Sequence, residues 1–172
     1  MKRLPLGLLS ALLLFVVQAP AMGQGSAPAG QKPVTLKELF DKIPRQLTAN
    51  TKVPTKLKTS VDEINDHLRS EVLAHDITMK IRCEEAQEWA DERTGAPGFR
   101  IKAQDEQISL GGTYFVSRTW FYFPATAGPA VLKVPKGKSV IISGKVTRAN
   151  FTTMDGLRFN TDVGDAKLEG GN

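Results

Sequence analysis

The side chains able to do chemistry are few and widely spaced. The chain has two histidines, His67 and His75, and one cysteine, Cys83. The histidines lie eight positions apart. That is twice the i, i+4 spacing at which two imidazoles on one helix share a metal. His75 falls where a helix is predicted to end, and a cation suits the helix dipole there. Cys83 sits on the apolar side of an alternating run with Ile77, Met79 and Ile81, so it reads as a small buried hydrophobe. Glu84, Glu85 and Glu88 form a carboxylate cluster. Paired carboxylates can do acid–base work or hold Ca²⁺. On a strand, however, Glu84 and Glu88 share the solvent face and read as an acidic edge. No Ser-His-Asp arrangement, P-loop, HExxH or CxxC occurs. These residues imply no metal and no cofactor, and they favour a non-enzymatic protein.

The charge distribution says more. Residues 107–154 contain no Asp or Glu. They contain Arg118, Lys133, Lys136, Lys138, Lys145 and Arg148, with Trp120 and Tyr122 among them. Basic groups interleaved with aromatic rings suit a groove that tracks phosphates and stacks bases. The candidate ligand-binding residues are therefore Arg118, Trp120, Tyr122, Lys136, Lys138, Lys145 and Arg148. The plainer expectation stands beside it: the acidic residues 84–92 fold alongside and cancel the field, the lysines guard edge strands, and the aromatics fill the core.

Strands must position these residues. Val140, Ile141, Ile142 and Val146 precede Asp155-Gly156; Leu157, Phe159, Thr161 and Val163 follow it. Such β-branched, alternating runs are half-buried strands, and Asp-Gly between them predicts a hairpin with a primed turn. Ile77 to Cys83 predict a first strand running on towards Trp89. Phe99, Ile101 and Ala103 predict the next, which continues through Ile108 and Leu110 after a turn or bulge at Asp105-Glu106. Gly111-Gly112 predicts a hairpin into residues 114–123, which are apolar on both faces and hence central. Residues 124–135 predict a crossing loop with a helical turn at 130–133. Two helices come first. Thr35 and Glu38 form a capping box ahead of Leu36, Leu39, Phe40 and Ile43, stopped by Pro44. Ser60 and Glu63 repeat the box ahead of Ile64, Leu68 and Val72, with Val61 on the same stripe. Residues 45–59, polar and basic, predict an exposed connection.

Lys2, Arg3, the apolar run at 4–17 and Ala19-Pro20-Ala21 predict a secretory signal peptide over residues 1–23. The run is shorter than the roughly 20 residues a membrane span needs. Residues 24–33 predict a flexible linker, 34–75 a helical segment and 76–169 a β unit. The net charge of +5 over 172 residues falls to +3 without Lys2 and Arg3. The remaining chain, about 150 residues, suits one domain. It holds no further segment apolar enough to span a bilayer, so an exported protein, periplasmic or extracellular, is expected. With one cysteine it has no internal disulfide.

The strand order resembles that of an OB-fold, a five-stranded Greek-key barrel. The resemblance is carried by TWFYFP at 119–124 and VPKGKSVIISGKV at 134–146. It is to the tRNA-anticodon-binding-like OB families, over residues 76–169, with Gly137, Lys138, Val140, Ile142, Gly144, Lys145 and Val146 at the matching positions. GDAKLE at 164–169 resembles their closing strand. The fold class expected is mainly β with two N-terminal helices (α+β), a small five- to six-stranded OB-like barrel. The resemblance implies oligonucleotide or oligosaccharide binding on the middle strands. For an exported domain the expected partner is an anionic polymer, a glycan or an envelope protein. The alternatives are an enzyme using the 84–92 carboxylates on a cell-envelope sugar, and a purely structural envelope protein.

Overall fold

The computed structural model describes residues 34–170. The expected signal peptide and linker lie outside the described residues. Helices α1 (Leu36–Phe40), α2 (Arg45–Asn50) and α3 (Pro54–Glu71) precede six strands. These are β1 (Asp76–Ala90), β2 (Pro97–Ala103), β3 (Glu106–Leu110), β4 (Thr113–Pro124), β5 (Ser139–Thr152) and β6 (Arg158–Gly170), with a 3-10 segment at Ala125–Lys133 crossing from β4 to β5. The strand order is β2-β1-β5-β6-β4-β3, and β2 also pairs with β4. The pairings of β1, β5, β6, β4 and β2 thus close into a ring. All are antiparallel except β4 with β6. This is the mainly β, OB-like architecture that the sequence predicts, with three helices in place of two.

The extra helix and an early start to α3 come from proline chemistry. Pro44 ends the first helical stretch, but its carbonyl then accepts from Leu47 and Thr48 N–H groups and starts α2. Thr48 is fully buried, and its carbonyl accepts from the Thr113 hydroxyl. Pro54 opens α3, where a missing N–H is harmless and the fixed φ already suits the helix. Ser60, expected as a cap, is instead buried inside that helix. The capping box of Thr35 and Glu38 does form. Ile64, Leu68 and Val72 are buried, and α3 packs on β5. Asn65 fastens it there: its amide donates to the Phe151 carbonyl at 3.1 Å and accepts from the Phe151 N–H at 2.7 Å. Phe40 stacks on Phe159 with ring centres 4.6 Å apart.

The two hairpins differ. Gly111 and Gly112 both take positive φ, and Leu110 pairs with Thr113, a two-residue primed turn. At Asp155-Gly156 only the glycine has positive φ. Pairing stops at Thr152 opposite Arg158. A wider loop forms instead of the expected tight turn, held by its own contacts: the Met154 N–H on the Thr152 hydroxyl, and Arg158 on the Asp155 carbonyl.

The register slips at four places, and three of these bulges bear on which side chains face out. In β1 the register slips between Cys83 and Glu85, so Glu84 is the extra residue. Ile77, Ile81 and Cys83 face in before it, Ala86 after it, and Trp89 turns outward. In β5 it slips between Val146 and Arg148; Val146 faces in, then Ala149 and Phe151, and Arg148 turns outward. In β6 the slip falls around Asp165, whose φ is +50°. Gly144 lies where that bulge crosses β5: a Cβ there would come within 2.7 Å of Val163 and 2.8 Å of the Gly164 carbonyl.

Candidate functional site

On β4 the even positions Arg118, Trp120 and Tyr122 point out of the ring, half-buried, while Phe115, Phe121 and Phe123 fill it. The strand is apolar on both faces, as predicted, but its outer face is partly open rather than covered. Across the β2–β4 pairing, Arg100 lies opposite Tyr122 and Lys102 opposite Trp120. Across the β1–β2 pairing, Gln87 lies opposite Arg100. With its amide turned so that the oxygen faces β2, Gln87 accepts from the Arg100 guanidinium at 2.7 and 2.8 Å. So held, the guanidinium lies 4.4 Å from the centre of the Trp120 ring. The Trp89 and Tyr122 rings meet edge to face at 4.7 Å. Trp89, Trp120 and Tyr122 thus share one outer face with Arg100, Lys102 and Arg118.

A groove opens at each end of this face. At the β1 bulge a groove of about 560 Å³ is lined by Arg82, Lys102, Arg118, Lys136, Glu84 and Asp105, among others. Glu84 pairs with Lys102 at 2.7 Å, and Asp105 with Arg118 at 3.0 Å. Arg82 donates to the Gly137 carbonyl. Four cations face two carboxylates. The Asp105 carboxylate also raises the Arg118 pKa above its ordinary value. At the β1–β2 turn a second groove, of about 480 Å³, runs from Trp89 and Tyr122 to Asp162. Three cations on its walls, Arg93, Arg100 and Arg148, balance three carboxylates, Asp91, Glu92 and Asp162.

Asp162 is the most buried carboxylate of the face, its side chain 17% exposed. Burial lifts its pKa above the usual aspartate value, against the pull of Arg148 at 3.4 Å and of a hydrogen bond from the Tyr122 hydroxyl. Burial and the Asp162 charge in turn raise the Tyr122 pKa. Asp91 is occupied locally: its carboxylate accepts from the Arg93 and Thr94 N–H groups and the Thr94 hydroxyl. Cys83 faces the core, and burial raises its thiol pKa, so it is a poor nucleophile.

The seven predicted residues therefore separate. Arg118, Trp120 and Tyr122 share the β4 face; Lys136 joins Arg118 at one groove and Arg148 joins Tyr122 at the other. Lys138 and Lys145 line neither. Lys145 is half-buried opposite Asp76 and Gly164. Trp89, Arg100, Lys102 and Asp162 belong to the face and were not predicted. The expected cancelling of the field by residues 84–92 is realised in part, through Glu84, Asp91 and Glu92. Glu84 is engaged by Lys102, and Glu85 and Glu88 are exposed. The carboxylate cluster thus does not converge on a pocket.

No family model and no curated protein matches the chain. Among solved structures, the chain is similar to the small single-stranded DNA-binding protein from Streptomyces coelicolor, at 13% identity and a TM-score of 0.36, over 58% of this chain and 94% of that one. It is similar also to the Plasmodium falciparum SSB in complex with ssDNA, at 14% identity and a TM-score of 0.34, over 58% of this chain and 95% of that one. At these values the likeness bears on the fold alone. The expectation of a glycan or envelope protein as partner is corrected by these neighbours, which are named for single-stranded DNA. Both are single-stranded DNA-binding proteins. Of the 84–92 carboxylates, Glu84 lines one groove and Asp91 and Glu92 line the other.

Proposed function

We propose that the chain binds single-stranded nucleic acid across the outer face of β1, β2 and β4. The observation that carries this reading is that both tryptophans of the chain share that face with Tyr122, Arg100 and Lys102. Rings and guanidinium planes stack on bases of any kind, and each stacked base contributes about 1–3 kcal/mol. The rings are half-buried: packed firmly enough to be held, open enough to be stacked upon. A duplex hides its bases in its own stack, so the face suits a single strand. The surplus of cations at the β1 bulge gives the phosphates a track.

The test is a titration with oligo-dT at low salt, read by tryptophan fluorescence. Both fluorophores lie on the face, so binding should change the emission. Affinity should fall with salt, the logarithmic slope being about −0.7 for each phosphate contacted. A duplex of equal length should bind more weakly. An emission unchanged by any oligonucleotide rejects the reading. With the leader predicted over residues 1–23, the encounter would take place outside the cytoplasm. N-terminal sequencing that begins near Met22 checks this, and an intact Met1 rejects it.

A further inference from the structure

We propose that the groove at the β1–β2 turn receives a guanine base, whose Watson–Crick edge is read by Asp162 together with Arg148. The inference rests on the binding of single-stranded nucleic acid at this face and adds a preference among bases to it.

The groove is built for a base and not for a phosphate. Its volume of about 480 Å³ falls within the range of small-molecule sites, about 300–1,000 Å³. Trp89 and Tyr122 supply its aromatic wall. Its three arginines are balanced by three carboxylates, so it offers a phosphate no net attraction. A buried carboxylate repels phosphate and can only accept hydrogen bonds from a ligand. Asp162 therefore selects for ligand donors.

The four bases differ sharply in what they offer a carboxylate. Along its Watson–Crick edge guanine carries the O6 acceptor, then the N1–H and N2–H donors side by side. Two adjacent donors match the two oxygens of one carboxylate. Adenine and cytosine each present one amino donor beside a ring-nitrogen acceptor. Thymine and uracil present one N–H between two carbonyl oxygens. In each of these the neighbouring lone pairs face the carboxylate and repel it. Arg148 completes the match. Its guanidinium sits 3.4 Å from the Asp162 carboxylate, and its side chain is 66% exposed, free to donate to O6. The pair thus presents acceptor, acceptor, donor against donor, donor, acceptor. Asp162 has capacity for this: a carboxylate has about four acceptor sites, and the Tyr122 hydroxyl takes one.

The experiment compares oligo-dT strands that carry one central guanine, hypoxanthine or adenine, in wild type and in Asp162→Asn. A well-made bidentate base contact discriminates by about ten- to a hundredfold. Wild type should bind the guanine strand tighter than the adenine strand by at least the lower figure. Hypoxanthine, which lacks the N2 amino group, should fall between them. Asp162→Asn should lose the guanine preference, its guanine-to-adenine affinity ratio falling to about one. Equal binding of all strands by wild type overturns this inference and leaves nucleic-acid binding standing. Binding of no strand overturns both. A preference that survives in folded Asp162→Asn also overturns it. If that variant does not fold, the wild-type comparison of guanine with hypoxanthine decides alone: equal affinities reject the N2 contact and the inference with it.

Discussion

The two grooves share β1, β2 and β4, the second adding β5 and β6, and they differ in their charge balance. The one at the β1 bulge sets Arg82, Lys102, Arg118 and Lys136 against Glu84 and Asp105. The one at the β1–β2 turn sets three arginines against three carboxylates and adds the Trp89 and Tyr122 rings. A surplus of cations attracts any polyanion and responds to salt. A neutral, ring-walled groove attracts a planar group and responds to its hydrogen-bonding edge. One face can therefore divide its work along its length, with affinity for the backbone at one end and choice of base at the other. Arg100 lines the second groove and lies over Trp120.

That division can be broken by substitutions at each end. Tyr122→Ala should cost the most, about 1–3 kcal/mol of oligo-dT affinity, with the salt slope unchanged. A shift in slope would mean that the aromatic end carries phosphates too. Lys136→Ala should cost less and lower the slope by about 0.7. Lys136 is exposed in a turn, so the fold should not respond. Lys145→Ala is the contrast. It lines neither groove, so its slope should equal that of wild type; a reduced slope would place the phosphate track on β5 and undo the division.

The sequence makes the strands legible and the face only half so. Alternation from Ile77 to Cys83, the glycine pair at 111–112 and the aromatic run in β4 specify strands and order. Arg118, Trp120 and Tyr122 follow from one unbroken alternation, which is why they were readable. Trp89 and Arg148 lie beyond bulges, and strict alternation would turn both into the core. The signal exists: the spacing of inward residues widens from two to three between Cys83 and Ala86, and again between Val146 and Ala149. Glu85 would also have faced inward on the unshifted register, which a carboxylate does not tolerate unpaired. Arg100 and Lys102 were readable as outward once β2 was placed, but their membership of the face depends on the β2–β4 closure. That closure is a long-range pairing that no local pattern announces. Asp162 was hidden for the same reason, since its neighbours come from β4 and β5.

The smallest expected effect is on pH dependence, and it tests the neutral groove through its least soluble charge. Asp162 faces Arg148 on β5, Tyr122 on β4 and Arg100 on β2, with Asp91, Glu92 and Arg93 at the rim. Burial raises its pKa above the ordinary aspartate value, so the folded protein holds the proton more tightly than the unfolded chain does. The stability this contributes is fully present below the unfolded value and is lost as pH rises through the folded one. In that acid window wild type should lose stability as pH rises, whereas Asp162→Asn, which has no proton to lose, should lack this component. Guanine preference should run the other way, because only the ionised carboxylate accepts two hydrogen bonds. Thermal melts and guanine-to-adenine affinity ratios, taken over the same pH steps, should therefore change in opposite directions in wild type. A preference that grows as the pH falls would assign base choice to some other group on the face.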